Sequence, residues 1–547
     1  MCFLKLKMTS LFVAALLLTS GAVLAQTSQS AHGTQSRSSV DDRFRRWDRD
    51  GNGKLTPDEV HGERLFRMLD KDDDGVVTKE EASTVAGRGE GQRQPWRVGV
   101  SEGAPLPPSE DFQPREHGDE AKAAGLKPDV LSKIDVEMQR HVAAGNVAGV
   151  VALIHRNGVQ GYFETFGMQD IEAGKPMPKD AIFRLMSMTK QVIAVAALAL
   201  YDEGRFSLDE PISKHCPEWV EPKVLEGGRL VPAKSAITPW MLMSHSSGLY
   251  YGKLEGATGD AAAIAFRAAQ GKNTTLKEFS ETLAKEPLKF HPGTGYQYGL
   301  SIDVLGRYIE AVACKPIDEV LKERVFDPLK MVDTGFWVPA EKADRLCQVY
   351  RQHGRGLLKP GRDERKLTEK PSLMMGGHGL SGTAGDYARF CQMLLNRGEL
   401  DGKRVLKAET VDLMFQNQLK DIGQRYGLGG MADGAGTYGW GGADGTQFWI
   451  DRKNNLYAVF MVQTQGYKAP TYPTFKSLAN EAAGIAGGRT GMSGGGRAGG
   501  LFKQHGDNND GKLDRNELPG TLFDRLDANK NGFVTEDELK VLWRTKQ

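Results

Sequence analysis

The 547-residue sequence has little cysteine and no excess of charge of either sign. Its five cysteines are widely and irregularly spaced, which excludes a disulfide framework and a zinc-binding pattern. We expect Cys216, Cys314, Cys347 and Cys391 to be core thiols. One disulfide between two of them remains an alternative. The net charge of +1 gives no reason to expect nucleic acid or an acidic membrane surface as a partner.

Long apolar segments are also missing after the first 25 residues. Residues 1–25 contain two lysines, then an apolar segment at 11–18, then small residues before Gln26, which is the order found in a secretory signal. The apolar segment is shorter than the roughly 20 residues needed to cross a bilayer. The sequence therefore predicts an exported protein, periplasmic or extracellular, with no transmembrane segment.

Near both ends the sequence repeats an acidic twelve-residue pattern, at 48–59, 70–81, 506–517 and 527–538. The pattern resembles the calcium loop of the EF-hand family, which has oxygen ligands at positions 1, 3, 5 and 12, a backbone carbonyl at position 7 and glycine at position 6. In the third stretch Gly506 replaces the first carboxylate. The resemblance implies calcium binding, outside catalysis, by Asp48, Asp50, Asn52, Lys54, Glu59, Asp70, Asp72, Asp74, Val76, Glu81, Asn508, Asp510, Lys512, Glu517, Asp527, Asn529, Asn531, Phe533 and Glu538.

The first two loops are unusually close together. Ten residues separate Glu59 from Asp70, too few for two helices and a turn, so one helix is expected to leave the first loop and enter the second. We therefore expect that the face-to-face pairing of ordinary EF-hand loops is not reproduced here.

Composition divides the rest of the chain. Residues 86–125 are rich in glycine, proline and charge, and residues 486–500 are rich in glycine, so both are predicted linkers. The predicted organisation is a signal (1–25), an EF-hand pair (40–85), a linker (86–125), a catalytic block (126–485), a second linker (486–500) and a second EF-hand pair (501–547).

The catalytic block begins and ends with strand patterns. Residues 148–155 and 160–166 flank Asn157-Gly158, a hairpin signal, and residues 447–450 and 456–463 form a second hairpin. Helices are predicted at 131–144, 304–313 and 474–483, and the long middle is mainly helical. The pattern predicts an α+β fold, with an antiparallel sheet flanked by helices and an inserted helical subdomain.

Ser187 and Lys190 stand immediately before an apolar run at 192–200 that predicts a buried helix. Three residues of separation place both side chains on one helix face, close enough to touch. A serine hydroxyl is a poor nucleophile until a neighbouring base takes its proton. A lysine one turn away can act as that base if its own proton has been removed.

Five short motifs follow one another along this block: SMTK at 187–190, MSHSSGL at 243–249, YGL at 298–300, GGHGLSGTA at 376–384 and WGG at 440–442. In this order they resemble the motifs of the serine beta-lactamase and penicillin-binding-protein superfamily. The match is nearest to the class C-like branch that includes the family VIII carboxylesterases. The resemblance implies that Ser187 is acylated, that Lys190 is its base partner, that Tyr298 relays a proton, and that the N–H groups of Ser187 and Ala443 hold the oxyanion, with no catalytic cofactor.

Two of these motifs depart from those of relatives that process beta-lactams and peptidoglycan, which usually carry Tyr-x-Asn and Lys-Thr-Gly. Leu300 replaces the asparagine, and Trp440 replaces the lysine, as in the esterase-like members. We predict that Leu300, Trp440, Gly441 and Gly442 bind the substrate, and that this substrate is a small uncharged ester.

Two other interpretations remain open from the sequence. One is a beta-lactamase, D-amino-acid amidase or carboxypeptidase that acts on amides of the peptidoglycan type. The other is a non-catalytic, calcium-dependent binding protein of the cell envelope, which the intact set of Ser187, Lys190 and Tyr298 argues against.

Overall fold

The computed structural model divides the chain into two compact units, residues 1–98 and 99–547. The predicted signal, the glycine-rich linker and most of the first linker lie outside the described residues. Among the described residues no helix is long and apolar enough to cross a membrane. The structure describes residues 47–48, 50, 52–56, 74, 76–78, 112–254, 274–352, 358–361, 367–485, 512–513 and 534–535.

In the first unit the two calcium-loop sequences pair with each other. Lys54–Leu55 and Val77–Thr78 form a two-stranded antiparallel sheet, in which Lys54 lies opposite Thr78. Leu55 and Val77 are both fully buried. The expectation that these loops would not pair is therefore wrong. The antiparallel pairing needs only two residues from each loop, so the short connection between the loops does not prevent it. Within the second unit, Lys512–Leu513 and Val534–Thr535 pair in the same way.

The second unit is built on a seven-stranded antiparallel sheet. Its strands are β1 (Gly149–Arg156), β2 (Val159–Asp170), β3 (Lys175–Pro176), β4 (Met431–Ala432), β5 (Thr437–Gly441), β6 (Gln447–Asp451) and β7 (Leu456–Met461). They are ordered β4-β5-β6-β7-β1-β2-β3 across the sheet. Asn157 and Gly158 make the predicted hairpin turn between β1 and β2, and both have positive φ, as such tight turns require.

The helices lie on both faces of this sheet or in the long segment between its halves. Among the described residues of the second unit, the α-helices are α1 (Asp119–Ala123), α2 (Pro128–Ala143), α3 (Thr189–Asp202), α4 (Pro239–Met243), α5 (Leu276–Leu283), α6 (Ser301–Ala313), α7 (Ile317–Leu321), α8 (Asp327–Leu329), α9 (Ala384–Leu395), α10 (Ala408–Phe415) and α11 (Thr471–Ala482).

Smaller strand pairs connect these elements. They are Phe183–Arg184 with Ser381–Gly382, Lys223–Glu226 with Arg229–Pro232, Glu399–Leu400 with Lys403–Arg404, and Tyr350–Gln352 with both Leu358–Pro360 and Thr464–Gln465.

Strand β1 separates two hydrophobic cores. Because side chains of a strand alternate between faces, Val150 and Ile154 pack with α2 and α11 on one side, whereas Val151 and Leu153 pack with α3 and α6 on the other. Helix α3 is buried from Thr189 to Leu200, as expected for a helix that is apolar all round. The larger core thus fixes the start of α3 against the sheet.

The predicted fold class is confirmed: an antiparallel sheet with flanking helices and a helical middle. One detail concerning the cysteines differs. Cys216, Cys347 and Cys391 are buried free thiols, but Cys314 is exposed, so its assignment to the core was wrong. It ends α6 in a left-handed conformation, which directs the chain away from the helix.

Candidate active site

The chain reaches Ser187 through a left-handed residue. Met186 has φ of +49°, which is uncommon for a residue with a side chain and is found at functional turns. The strand Phe183–Arg184 leads into this turn, and its partner strand is Ser381–Gly382. Ser187 then lies in a short 3₁₀ turn that continues directly into α3. The turn leaves the serine partly exposed at the end of a buried helix.

Three predicted side chains meet at this point. Tyr298 Oη donates a hydrogen bond to Ser187 Oγ at 2.8 Å, and Lys190 Nζ donates to the same oxygen at 3.3 Å. Lys190 is fully buried, whereas Ser187 and Tyr298 are partly exposed. This geometry places a hydroxyl nucleophile within reach of two groups that can exchange its proton.

The Lys190 ammonium has a second, shorter contact. It donates to the carbonyl oxygen of Gly377 at 2.6 Å, and it lies 4.7 Å from the centre of the Tyr298 ring. A carbonyl acceptor and the face of an aromatic ring both stabilise a cation. The lysine is thus held on three sides, by the serine, the tyrosine ring and the 376–380 loop.

A buried imidazole positions Tyr298. The ring of His245 lies 4.8 Å from the ring of Tyr298, and its Nδ1 accepts a long hydrogen bond from the Gly299 N–H at 3.4 Å. Burial, and then the charge of Lys190, hold the pKa of the His245 imidazole well below its usual range. The histidine is therefore a neutral support for the tyrosine loop. Gly299 is required beside it, because a Cβ there would lie 2.5 Å from the Tyr250 Cα.

Trp440 contacts Tyr298 directly. Its indole Nε1 donates to Tyr298 Oη at 3.3 Å, and the two ring centres are 5.3 Å apart. Tyr251 adds a third ring, 5.7 Å from Tyr298, and is 38% exposed. Aromatic rings thus lie beside the hydroxyl groups of Tyr298 and Ser187.

The turn after β5 carries Ala443, the second predicted oxyanion donor, and lies against the residues before Ser187. Thr446 Oγ1 donates to the Leu185 carbonyl at 3.0 Å, and the Gly442 N–H donates to the Thr446 carbonyl at 2.7 Å. A Cβ at Gly442 would lie 2.6 Å from the Leu185 oxygen, so only glycine permits this approach. The turn therefore lies against the residues that lead into Ser187, and the oxyanion role of Ala443 stays a prediction.

Leu300 requires a correction. Its side chain is fully buried in the larger hydrophobic core, at the start of α6, so it offers no surface to a substrate. The chain turns into the helix directly after Tyr298, and this turn directs Leu300 inward. Gly441 is placed where a side chain would collide with Gln447, at 2.2 Å from its Oε1. Of the four predicted substrate residues, Trp440, Gly441 and Gly442 stand at the site and Leu300 does not.

Comparison with known proteins decides the family. Residues 134–480 match the family model described as beta-lactamase, which is more than half of the chain. The chain belongs to the beta-lactamase family. Outside the beta-lactamase domain, residues 63–85 and 520–543 match the family model described as EF hand.

Relatives of the beta-lactamase domain include esterases. Esterase EstB of Burkholderia gladioli is 29% identical over 394 residues, covering 64% of this chain and 96% of that protein. Protein Rv1367c of Mycobacterium tuberculosis is 33% identical over 351 residues, covering 58% and 86%. The solved structure of EstCE1, a hydrolase with promiscuous acyltransferase activity, is 25% identical and has a TM-score of 0.57, covering 64% of this chain and 98% of that chain. The beta-lactamase domain is a serine hydrolase.

The described part of the first calcium loop has the backbone arrangement that such loops need. The Gly53 N–H donates to Asp48 Oδ2 at 3.0 Å, the Asn52 N–H donates to Asp50 Oδ1 at 3.1 Å, and Gly53 has φ of +80°. In the second loop the Val76 N–H donates to Asp74 Oδ1 at 3.0 Å.

Only some of the predicted calcium ligands can be placed. Asp48, Asp50, Asn52, Lys54, Asp74, Val76 and the backbone of Lys512 belong to the described residues. The others lie outside them: Glu59, Asp70, Asp72, Glu81, Asn508, Asp510, Glu517, Asp527, Asn529, Asn531, Phe533 and Glu538.

Three residues at the beta-lactamase site were missed from the sequence: Tyr251, Asp303 and Gly377. Gly377 belongs to a glycine-rich motif, and Asp303 is an acidic residue in an otherwise apolar helix start. The acidic residue was a usable signal, since a carboxylate among apolar residues needs a specific reason for burial.

Proposed function

We propose that this protein is an esterase that hydrolyses small uncharged esters through an acyl-serine intermediate. The observation that carries this proposal is the contact of Trp440 with Tyr298, because it fills with an indole the position that binds a substrate carboxylate in lactam-processing relatives. An indole offers one neutral donor and a large apolar face, so it favours an uncharged acyl or aryl group. The similarity to EstB, an esterase, supports ester hydrolysis.

The reaction would proceed in two balanced halves. The Ser187 proton passes to the neighbouring base, Oγ bonds to the ester carbonyl carbon, and the N–H groups of Ser187 and Ala443 hold the developing oxyanion. The bond to the alcohol then breaks, and Tyr298, 2.8 Å from Oγ, returns the proton to the leaving alkoxide. Water repeats the same steps on the acyl-serine and releases the acid.

Substrate comparison tests this proposal. Purified protein is expected to turn over p-nitrophenyl acetate or butyrate with kcat/KM well above that for the cephalosporin nitrocefin, and Ser187→Ala is expected to lose both activities. A wild-type enzyme that prefers nitrocefin would favour the beta-lactamase interpretation instead. A protein that hydrolyses neither substrate and resists serine-directed fluorophosphonates would favour the non-catalytic interpretation.

Acyl transfer is a second candidate function, favoured by the similarity to EstCE1, a hydrolase with promiscuous acyltransferase activity. An alcohol that enters the aromatic site beside Tyr298 could attack the acyl-serine in place of water. Product analysis with an acyl donor and added alcohols would detect the new ester. Release of free acid alone, at every alcohol concentration, would contradict this candidate.

We also propose that the EF-hand loops bind calcium and that the protein is exported. The carboxylate-rich loops and the backbone turns at Asp48 and Asp50 support the first proposal. The signal-like composition of residues 1–25 supports the second. Calorimetric titration with calcium and mass analysis of the mature N-terminus in the producing cell would test them.

A further inference from the structure

A buried glutamine lies where the chain leaves β7. Gln463 comes shortly after the strand and is 3% exposed. Its Oε1 accepts a hydrogen bond from the Arg184 N–H at 2.7 Å, and its Nε2 donates to Asp444 Oδ2 at 3.1 Å. One side chain thus joins two segments that are far apart in the sequence.

The two partners fix the orientation of this amide. A backbone N–H can only donate and a carboxylate accepts, so the amide oxygen faces Arg184 and the amide nitrogen faces Asp444. Both ends of the amide are therefore used. A side chain that is shorter, or that has no amide, cannot make both contacts.

The joined segments are those that carry the two predicted oxyanion donors. Arg184 lies three residues before Ser187, in the strand that leads into the turn of the nucleophile. Asp444 directly follows Ala443, in the turn after β5. The amide of Gln463 therefore lies between the chain segments whose N–H groups are expected to hold the oxyanion together.

Other contacts hold the same two segments close to each other. Thr446 Oγ1 donates to the Leu185 carbonyl at 3.0 Å, which is a second direct link between them. The backbone next to Gln463 also contacts the turn, because the Thr464 N–H donates to the Asp444 carbonyl at 2.8 Å. Both the side chain of Gln463 and the backbone that follows it thus restrain the turn.

We propose that Gln463 is a positioning residue for the oxyanion hole, whose amide sets the spacing between the N–H groups of Ser187 and Ala443. This inference rests on the proposed function, because it concerns the same acylation step. Donors stabilise an oxyanion when they lie about 2.7–3.1 Å from the oxygen that becomes charged, and a displacement of about 1 Å costs on the order of 10² in rate. Loss of the amide lets the two segments move apart and weakens these hydrogen bonds.

Gln463→Met tests this inference, because methionine is similar in length and makes neither hydrogen bond. Turnover is measured on p-nitrophenyl butyrate and on its thiono analogue, in which sulfur replaces the carbonyl oxygen. Sulfur is a weaker hydrogen-bond acceptor than oxygen, so the thiono ester gains less from the two N–H groups. We expect the wild type to prefer the oxygen ester, and Gln463→Met to lower the ratio of kcat/KM for the oxygen ester to kcat/KM for the thiono ester by about tenfold.

This ratio separates positioning from packing. Looser packing at the site lowers both rates together, whereas misplaced N–H groups lower the rate on the oxygen ester more. Gln169→Leu is the matched control, because Gln169 is also buried and its amide donates to the Asp344 and Leu346 carbonyls at 2.7 Å and 3.1 Å. We expect the control to lower stability and to keep the wild-type ratio.

An unchanged ratio in Gln463→Met, with or without a loss of rate, would overturn the inference. An equal fall of the ratio in Gln169→Leu would overturn it as well, because the effect would not depend on the link to the oxyanion donors. Should the methionine variant fail to fold, Gln463→Asn carries the same expectations. Its amide is one methylene shorter and cannot reach both partners.

The wild-type measurements distinguish failure of this inference from failure of the proposed function. If wild-type protein labels with a fluorophosphonate and prefers the oxygen ester, and Gln463→Met keeps the same ratio, only the role of Gln463 is refuted. Wild-type protein that hydrolyses both esters without preferring the oxygen ester would refute the oxyanion donors that the inference needs. Wild-type protein that neither labels nor hydrolyses either ester would refute the proposed function and this inference with it.

Discussion

Asp303→Asn is expected to change how the stability of the enzyme depends on pH. Burial raises the pKa of this carboxyl from 3.8 to about 6 in the folded chain. The folded state therefore holds the proton at pH values where the unfolded chain has released it, so stability falls as pH rises from about 4 to about 6. Two pKa units correspond to about 3 kcal/mol of unfolding free energy, lost by pH 7.

The fall in unfolding free energy is smaller within the pH range that can be measured. Between pH 4.5 and 7.5 a group with these two pKa values accounts for about 2 kcal/mol of the fall. In Asp303→Asn this contribution is absent. Among the described residues Asp303 Oδ2 has no hydrogen-bond partner. The new side-chain N–H groups at that position cost a constant amount at every pH, so they shift the curve without changing its slope.

Urea denaturation at a series of pH values, with calcium saturating, measures this difference. Tryptophan fluorescence reports unfolding of the catalytic domain, and an unchanged m-value confirms that wild type and variant lose the same structure. The stability of the wild type relative to Asp303→Asn is expected to drop by about 2 kcal/mol over the range. Parallel curves would refute the reasoning, because they would mean that Asp303 does not titrate between these pH values.

The remaining predictions concern turnover, specificity and calcium. Lys190→Ala and Tyr298→Phe are each expected to lower kcat by a factor on the order of 10²–10⁴, because each removes a group that contacts the serine oxygen. Rates within about tenfold of wild type would contradict these roles. Trp440→Lys is expected to lower the ratio of kcat/KM for p-nitrophenyl butyrate to kcat/KM for nitrocefin, because the lysine supplies a cation for the nitrocefin carboxylate. An unchanged ratio would show that another group sets specificity. Chelation of calcium is expected to lower the midpoint temperature of an early calorimetric unfolding transition. We expect kcat/KM to stay unchanged, because predicted linkers separate the loops from the domain that carries Ser187. A change in kcat/KM would indicate that calcium regulates turnover.

Local patterns predicted much of the fold. Asn157-Gly158 predicted the hairpin of β1 and β2, and the apolar run after Lys190 predicted a buried helix, because both signals depend on neighbouring residues alone. The predicted ends of helices and strands were less accurate. Helix α2 begins at Pro128 rather than at residue 131, because proline is favoured in the first helical turn. The pairing of the calcium loops was missed because it needs only two residues from each strand.

The active site was predictable where a motif fixes the side chain's surroundings. Ser187 and Lys190 share one helix turn, so their proximity follows from spacing. Leu300 was misplaced because the chain enters α6 directly after Tyr298, and this change of direction depends on packing against the larger core. Asp303 was overlooked because it is connected to Lys190 through Gly377, whose N–H donates to the carboxylate and whose carbonyl accepts from the lysine. These three residues belong to separate segments that only the folded chain brings together.

The most direct test of the central claim is mass spectrometry of the enzyme quenched during turnover of p-nitrophenyl butyrate. A butyryl adduct is expected on the peptide that contains Ser187, and the adduct should be absent from Ser187→Ala. Turnover without an acylated peptide, or an adduct on a different serine that survives in Ser187→Ala, would contradict hydrolysis through Ser187.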